Sequence, residues 1–157
     1  MTDSGAKLEK ATLEAAHQYF RLVLLVGAPG SGKTARLQSV AKKLGCELVN
    51  LNLELSKKLL ELTRDQRSRQ VERSLKEVIA AVPGEVVLLD NLEILFDVSL
   101  ELDPLRLLQV SSRNRTIVAS WNGSSHGSTL TYAEPGHPEF AQFKNVEALV
   151  VPLHPRE

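Results

Sequence analysis

Apolar and polar residues follow two patterns along this chain, one typical of buried strands and the other of amphipathic helices. The strand pattern is a short run rich in apolar residues, and it occurs at residues 22–26, 46–53, 85–90, 116–120 and 148–153. A parallel strand is covered on both faces, so it shows a nearly continuous apolar run instead of an alternation. The pattern predicts a mostly parallel central sheet of about five strands.

Helical periodicity fills most of the intervening sequence. Apolar residues recur at three- and four-residue spacing, which predicts helices at residues 5–19, 35–44, 54–82 and 103–112. Residues 63–70 (TRDQRSRQ) contain no apolar side chain and predict a break or an exposed bend within the third of these. Asp103 and Pro104 are a good N-cap and first residue for the fourth.

The alternation of strands and helices predicts an α/β fold, a three-layer α/β/α sandwich with right-handed crossovers. Toward the C-terminus the pattern weakens. Residues 123–128 (GSSHGS) predict a flexible loop, residues 129–133 a short strand, and residues 133–138 a turn. Ligands of such sheets bind at the carboxyl ends of the strands. The residues that follow each strand are therefore the first candidates for a functional site.

The first strand is followed by Gly-Ala-Pro-Gly-Ser-Gly-Lys-Thr, which satisfies G-x-x-x-x-G-K-[ST]. Glycines allow the backbone N–H groups to point at phosphate oxygens, and the next helix adds its positive N-terminal dipole. Lys33 can reach the β- and γ-phosphates, and the Thr34 hydroxyl can bind Mg²⁺. The sequence thus predicts a P-loop NTPase fold that binds ATP and Mg²⁺. The predicted nucleotide-binding residues are Gly27, Ala28, Pro29, Gly30, Ser31, Gly32, Lys33, Thr34 and Ala35.

We expect three parts along the chain. Residues 1–20 form an N-terminal helix, residues 21–153 form the P-loop NTPase domain, and residues 154–157 form a short tail. A chain of 157 residues is long enough for one domain with a substantial core.

The third apolar run ends in Asp90, where a Walker B carboxylate would hold Mg²⁺ together with Thr34. Hydrolysis also needs a group that orients and deprotonates water. Many P-loop ATPases place glutamate directly after this aspartate, but here the residue is Asn91. An amide can position water but cannot accept its proton. Glu93, on the same loop, is the favoured candidate for the base, and Glu54, after the second strand, is the alternative.

Polar residues also follow the strand at 116–120. ATPases of the AAA+ kind carry a residue here, called sensor 1, that contacts the γ-phosphate or the attacking water. Ser120 and Asn122 are equal candidates for this role, and Trp121 between them is expected to pack in the core.

Two groups of arginines are candidates for contacts with a neighbouring subunit or another partner. One group precedes the fourth strand and the other lies in the polar stretch at 63–70; they are Arg113 and Arg115, and Arg64, Arg67 and Arg69. The first pair is expected at the sheet end opposite the nucleotide. The second group predicts either a solvated bend or a patch for DNA phosphate.

Composition narrows the choice of partners and compartment. Lys and Arg together number 19, as do Asp and Glu, so the net charge is zero and no overall field attracts nucleic acid. The single cysteine excludes an internal disulfide and suits a reducing compartment. No apolar run reaches membrane-spanning length, and the charged N-terminal segment does not resemble a signal peptide. We therefore predict a cytoplasmic protein without membrane contact.

Four phrases together with the P-loop resemble one family. They are NLNLELSKKLLEL, LLDNLEILF, SRNRTIVASWNG and LTYAEPGHPEF. In these the chain resembles the small P-loop protein of type 3 BREX bacteriophage-defence systems (BrxF) and, more distantly, the AAA+ core. The resemblance implies a subunit that acts with other BREX proteins, on DNA directly or through them, and that can form a homo-oligomer. The chain departs from AAA+ proteins because it lacks the Walker B glutamate and is expected to leave no room for a helical lid after the last strand.

Three functions remain open at this level. The first is an ATPase that hydrolyses ATP weakly or only with partners and so regulates assembly of a defence complex on DNA. The second is a nucleotide-sensing interaction module without hydrolysis. The third is a small nucleotide or metabolite kinase, which the lack of an arginine-bearing lid disfavours.

Overall fold

The computed structural model describes residues 2–153, with side chains from residue 5 onward, so the predicted tail at 154–157 lies outside the described residues. The helices are α1 (Thr2–Ala15), α2 (Lys33–Leu44), α3 (Leu51–Leu59), α4 (Arg64–Ala80) and α5 (Pro104–Ser111). The strands are β1 (Leu22–Gly27), β2 (Leu48–Asn50), β3 (Val86–Asp90), β4 (Thr116–His126), β5 (Thr129–Tyr132), β6 (Ala141–Lys144) and β7 (Leu149–Pro152). Two 3₁₀ turns, Glu93–Phe96 and Val98–Leu100, lie between β3 and α5.

Five parallel strands form the centre of the sheet in the order β2-β3-β4-β1-β7. The predicted parallel sheet is confirmed. Its register sets Gly27, the last residue of β1, beside Asn122, where the parallel part of β4 ends, and it pairs Asn50 with Asp90, the last residues of β2 and β3. The ends of β1 and β3 and residues 120–122 of β4 therefore lie at one edge, as the predicted site requires.

Helices cover both faces of this sheet, which confirms the three-layer α/β/α sandwich. Successive residues of β1 point to opposite faces: Val23 and Leu25 pack with α1 and α2, whereas Leu22 and Leu24 pack with α3, α4 and α5. All six residues of β1 are buried, which explains its unbroken apolar run.

The predicted loop at 123–128 is wrong. Strand β4 continues to His126 and forms an antiparallel sheet with β5 and β6, turning at Gly127, whose φ is 62°. Gly123 permits this pairing, because a Cβ there would lie only 1.8 Å from the carbonyl oxygen of Thr131. The serine-rich sequence suggested a loop, but the hydroxyls of Ser124 and Thr131 lie 2.9 Å apart across the two strands. The short strand predicted at 129–133 is confirmed as β5, whereas β6 was not predicted.

Two other boundaries differ from the sequence prediction because of helix caps. The predicted strand 46–53 ends at Asn50, whose side chain accepts a hydrogen bond from the Leu53 N–H (3.1 Å) and so starts α3. The third predicted helix is interrupted as expected, but the break lies at residues 60–63, and the polar residues 64–70 begin α4. Thr63 and Gln66 form a reciprocal capping box there, with bonds of 3.2 and 2.9 Å.

The N-terminal helix ends at Ala15 and not at residue 19. No helix within residues 2–153 is both long and apolar enough to cross a membrane.

Candidate nucleotide-binding site

The P-loop joins the buried strand β1 to helix α2 and wraps the N-terminus of that helix. Gly30 and Gly32 have φ values of 77° and 97°, which only glycine adopts without strain. Gly32 is the N-cap of α2 and offers no side chain to the first N–H groups of the helix. Those N–H groups are therefore free to bind an anion at the positive end of the helix dipole.

Lys33 extends back into the loop it follows. Its Nζ donates hydrogen bonds to the carbonyl oxygens of Gly27 (2.9 Å) and Ala28 (2.6 Å) and lies 3.4 Å from Ser31 Oγ. Only 6% of the residue is exposed. Burial lowers the pKa of Lys33, while the nearby Asp90 and Glu93 carboxylates act in the opposite direction. The cation is thus desolvated and held by carbonyls beside two acids, a position from which it can move to a phosphate.

Asp90 accepts three hydrogen bonds within the site. Its Oδ2 accepts the Thr34 hydroxyl (2.5 Å), and its Oδ1 accepts the Ser120 hydroxyl (2.6 Å) and the Asn91 N–H (3.0 Å). The side chain is buried between the P-loop and β4. Carboxylate and hydroxyl oxygens at the mouth of a phosphate-binding loop are the ligands that Mg²⁺ prefers, so Thr34 and Asp90 fit this ion.

Glu93 and Asn122 meet across the opening of the cleft. Asn122 Nδ2 donates a hydrogen bond of 2.8 Å to Glu93 Oε2. Asn122 lies on β4 opposite the first P-loop glycine, and Glu93 begins the 3₁₀ turn after β3. The structure therefore places the two sensor candidates differently: Ser120 holds the carboxylate of Asp90, and Asn122 holds that of Glu93.

Asn91 occupies a backbone position that ordinary residues disfavour. Its φ is 58°, in the left-handed region that asparagine tolerates better than glutamate does. Its carbonyl oxygen accepts the Asn52 N–H (3.0 Å), which ties the end of β3 to the start of α3. The positive φ gives a backbone reason for asparagine at the place where many P-loop ATPases have glutamate.

These groups line one open cleft of about 440 Å³. Its walls are Pro29, Gly30, Gly32, Lys33, Thr34, Asp90, Asn91, Glu93, Ser120 and Asn122. Glu54 is not among them. It lies in the first turn of α3, where its carboxylate is 3.5 Å from Lys57 Nζ and its side chain is 44% exposed. Because β2 ends after three residues, the chain turns into α3 before Glu54 can reach the cleft.

Arg36 was missed by the sequence analysis. Its guanidinium lies over the P-loop, with Nη1 3.4 Å from the Gly32 carbonyl oxygen. Its Nε is buried and has no hydrogen-bond partner in the part of the chain that the structure describes. The available signal was a second cation one helical turn after Lys33, since residues three apart share a helix face.

The arginine candidates are dispersed, and two of them form hydrogen bonds with backbone carbonyl groups near helix ends. Arg115 donates hydrogen bonds to the carbonyl oxygens of Ile79 (2.8 Å), Val82 and Gly84 (both 2.6 Å). These bonds cap the carbonyl groups at and just after the C-terminus of α4. Arg67 does the same for the end of α3. Their side chains bind within the subunit, whereas the sequence made them candidates for partner contacts. Arg64 and Arg69 are exposed, and Arg113 lies 3.9 Å above the Tyr19 ring.

Replacement of Arg115 by alanine should destabilise the fold without touching the cleft. It removes three bonds to helix-end carbonyls, and we expect a loss of about 3 kcal/mol in unfolding free energy. This corresponds to a fall in Tm of roughly 6–12 °C for a domain of this size. Arg113→Ala is the matched control, because its exposed stacking on Tyr19 is worth about 0.5–1 kcal/mol. Thermal unfolding of both variants tests this, and equal effects would contradict it.

Replication factor C large subunits from two Pyrobaculum species are similar to this chain. That of Pyrobaculum arsenaticum is 27% identical over 145 residues, covering 92% of this chain and 30% of the relative. That of Pyrobaculum calidifontis is 39% identical over 75 residues, covering 46% and 16%. The chain thus spans less than a third of the length of either relative.

Two solved structures are also similar. C. elegans PCH-2 aligns over 99% of this chain and 41% of its own, with a TM-score of 0.48 and 19% identity. AMPPCP-bound DnaA from Aquifex aeolicus aligns over 94% and 44%, with a TM-score of 0.46 and 17% identity.

The model of one protein family matches residues 23–104, just over half of the chain. The match begins in β1 and ends at the start of α5, so it contains the P-loop, Asp90 and Glu93. This nucleotide-binding domain belongs to the AAA family, the ATPase family associated with various cellular activities.

Proposed function

We propose that this domain binds ATP with Mg²⁺ and hydrolyses it slowly, or only with partners, as a subunit of a bacterial BREX anti-phage system. Its nucleotide state would regulate assembly of the defence complex on DNA. The observation that carries the nucleotide part is the joining of Thr34, Asp90 and Ser120 by two short hydrogen bonds at the mouth of the P-loop. The BREX assignment is supported by the phrases LLDNLEILF and LTYAEPGHPEF.

The phosphates of ATP would occupy the P-loop, where helix N–H groups and Lys33 supply positive charge. Lys33 would exchange its carbonyl contacts for the β- and γ-phosphate oxygens. Thr34 and Asp90 would hold Mg²⁺, which when bound neutralises charge on the terminal phosphates. Ser120 would keep the Asp90 carboxylate oriented, because its hydroxyl is fixed on one carboxylate oxygen.

Glu93 is the residue we assign as general base, since it lines the cleft and carries a carboxylate. Its hydrogen bond to Asn122 engages one carboxylate oxygen and restrains the orientation of the group. This restraint supports slow turnover in the isolated protein.

A module that senses nucleotide without hydrolysing it is the second candidate. It is favoured by Asn91, whose amide cannot accept a proton, and by the occupied state of Glu93. The two candidates differ only in whether phosphate is released, so one assay separates them.

The test is phosphate release from ATP with Mg²⁺ by the purified protein, followed together with ATP binding. We expect Glu93→Gln to lower turnover about 100-fold, the lower end of the range for a general base, with ATP affinity nearly unchanged. Glu54→Gln is the matched control, because Glu54 lies outside the cleft and should not affect turnover.

Each outcome has a distinct meaning. Turnover lost in Glu93→Gln alone supports the ATPase, and tight binding without turnover in the natural protein supports the sensing module. Loss in Glu54→Gln alone would contradict the assignment of the base. Phage protection that survives without ATP binding would contradict the proposed defence role.

A further inference from the structure

A second cavity lies outside the nucleotide cleft, beside the segment that follows the predicted turn at 133–138. It is a groove of about 480 Å³ between residues 95–104 and residues 138–143. We call it the hairpin groove, because its second wall is formed by the start of β6 and the residues before it. Its apolar lining includes Leu95, Phe96, Val98, Leu102, Phe140 and Phe143. Val98 is 72% exposed.

The floor of the hairpin groove is a packed aromatic cluster. Phe96 stacks on Tyr132 with ring centroids 3.4 Å apart, and its edge meets Trp121 at 5.2 Å. Phe143 also packs against Trp121, with ring centroids 5.6 Å apart. Trp121 is fixed further by a 2.8 Å hydrogen bond from its Nε1 to the Thr131 carbonyl oxygen. A rigid aromatic floor can receive an apolar side chain at a small cost in conformational entropy.

The rim of the groove is acidic. Asp97, Glu101, Asp103 and Glu139 line it, and no Lys or Arg is among its lining residues within 2–153. Asp97 and Asp103 are used locally: the first accepts bonds from Ser99, and the second caps α5. Glu101 and Glu139 make no side-chain hydrogen bond or ion pair with the described part of the chain. These two carboxylates are available to a basic partner.

One wall of the groove also ends in an open strand edge. Among residues 2–153, β6 pairs with β5 only, so its other edge offers unpaired N–H and C=O groups. Ala141 and Phe143 are on the groove side of β6, while Gln142 and Lys144 point to solvent. An extended peptide beside β6 would place alternate side chains into the groove.

We propose that the hairpin groove docks an extended segment of another protein, in which a large apolar side chain is flanked by lysine or arginine. The apolar side chain would fill the cavity above Phe96 and Phe143, and the basic residues would face Glu101 and Glu139. The biological setting of this proposal rests on the proposed function, whereas peptide binding by the groove does not depend on it. Leu95 and Phe96 belong to the same short turn as Glu93, so the docked segment lies one turn from the nucleotide cleft.

The probe is an array of ten-residue peptides with two central apolar positions and with flanks of Lys and Arg, of Ser, or of Glu. The purified full chain is applied to the array, and the strongest peptide is measured by fluorescence anisotropy. We expect the basic flanks to be preferred, and alanine at the two central positions to weaken binding more than tenfold, since a buried apolar side chain contributes about 1.5–3 kcal/mol.

Val98→Lys tests the groove directly. Because Val98 is mostly exposed, the fold should be retained, and the new ammonium should repel a basic peptide and weaken binding at least about tenfold. Val110→Lys is the matched control, an exposed valine on α5 outside the groove, and should bind within about twofold of the natural chain. Glu139→Lys is the second variant and should also weaken binding, whereas Glu134→Lys should not.

Three results would overturn the proposal. The first is an array without preference for basic flanks, and the second is equal binding by the Val98→Lys and Val110→Lys variants. The third is self-association of the purified chain that Val98→Lys abolishes, which would assign the groove to a second copy. Binding of a fluorescent ATP analogue separates this proposal from the proposed function: peptide binding without ATP binding supports the groove and refutes the nucleotide role.

Discussion

The Lys33→Ala variant is expected to bind ATP about 1000-fold more weakly than the natural protein, a loss of about 4 kcal/mol. Lys33 is the cation at the centre of the P-loop, where it is buried and held by the carbonyl oxygens of Gly27 and Ala28. Its removal leaves the carboxylates of Asp90 and Glu93 facing the phosphates without a compensating charge. Titration with a fluorescent ATP analogue in the presence of Mg²⁺ measures the effect.

Lys42→Ala is the matched control for this variant. Lys42 lies on the same helix as Lys33 but is exposed and outside the cleft, so ATP affinity should change by less than about twofold. Circular dichroism should show that both variants remain folded. ATP affinity that is equal in Lys33→Ala and in the natural chain would refute nucleotide binding at the P-loop.

The Asp90→Asn variant is expected to lose the dependence of ATP binding on Mg²⁺ and to lower any ATP turnover about 1000-fold, or about 4 kcal/mol of transition-state stabilisation. The substitution keeps the shape of the side chain. Its amide oxygen can still accept the Ser120 hydroxyl and the Asn91 N–H, and the Thr34 hydroxyl can rotate to accept from the amide nitrogen. The negative charge alone is removed.

Asp65→Asn makes the same chemical change at an exposed position in the first turn of α4 and should leave both properties unaltered. The measurement is ATP binding across a Mg²⁺ titration, with phosphate release at saturating ATP. If Asp90→Asn keeps its Mg²⁺ dependence, Asp90 does not hold the metal, and the proposed pairing of Thr34 with Asp90 around Mg²⁺ is wrong.

Part of the candidate site could be predicted from the sequence alone. The P-loop was evident from residues that are adjacent in the chain, and Asp90 from its place at the end of an apolar run. The sequence favoured Glu93 over Glu54 only because Glu93 shares a loop with Asp90. Both follow strands that end at the same edge of the sheet, and only the early start of α3, set by the Asn50 cap, turns Glu54 away from the cleft.

The contacts of the arginines also could not be predicted from the sequence. Arg115 was a candidate for contact with a neighbouring subunit because it stands in a polar segment between a helix and a strand. In the fold its guanidinium lies against carbonyl oxygens at the end of α4, more than thirty residues away in sequence. No local pattern records such a contact, because the acceptors are backbone groups that every residue carries.

The sequence by itself determined the P-loop, the parallel sheet and the AAA+ core, because each depends on short-range features such as glycines at fixed spacing and unbroken apolar runs. Only the tertiary structure decided that β4 continues into an antiparallel hairpin, that Glu93 is held by Asn122, and that an acidic-rimmed groove lies beside β6. These features depend on which residues meet across strands. That register is fixed by close contacts such as Gly123 against Thr131, which involve residues distant from one another along the chain.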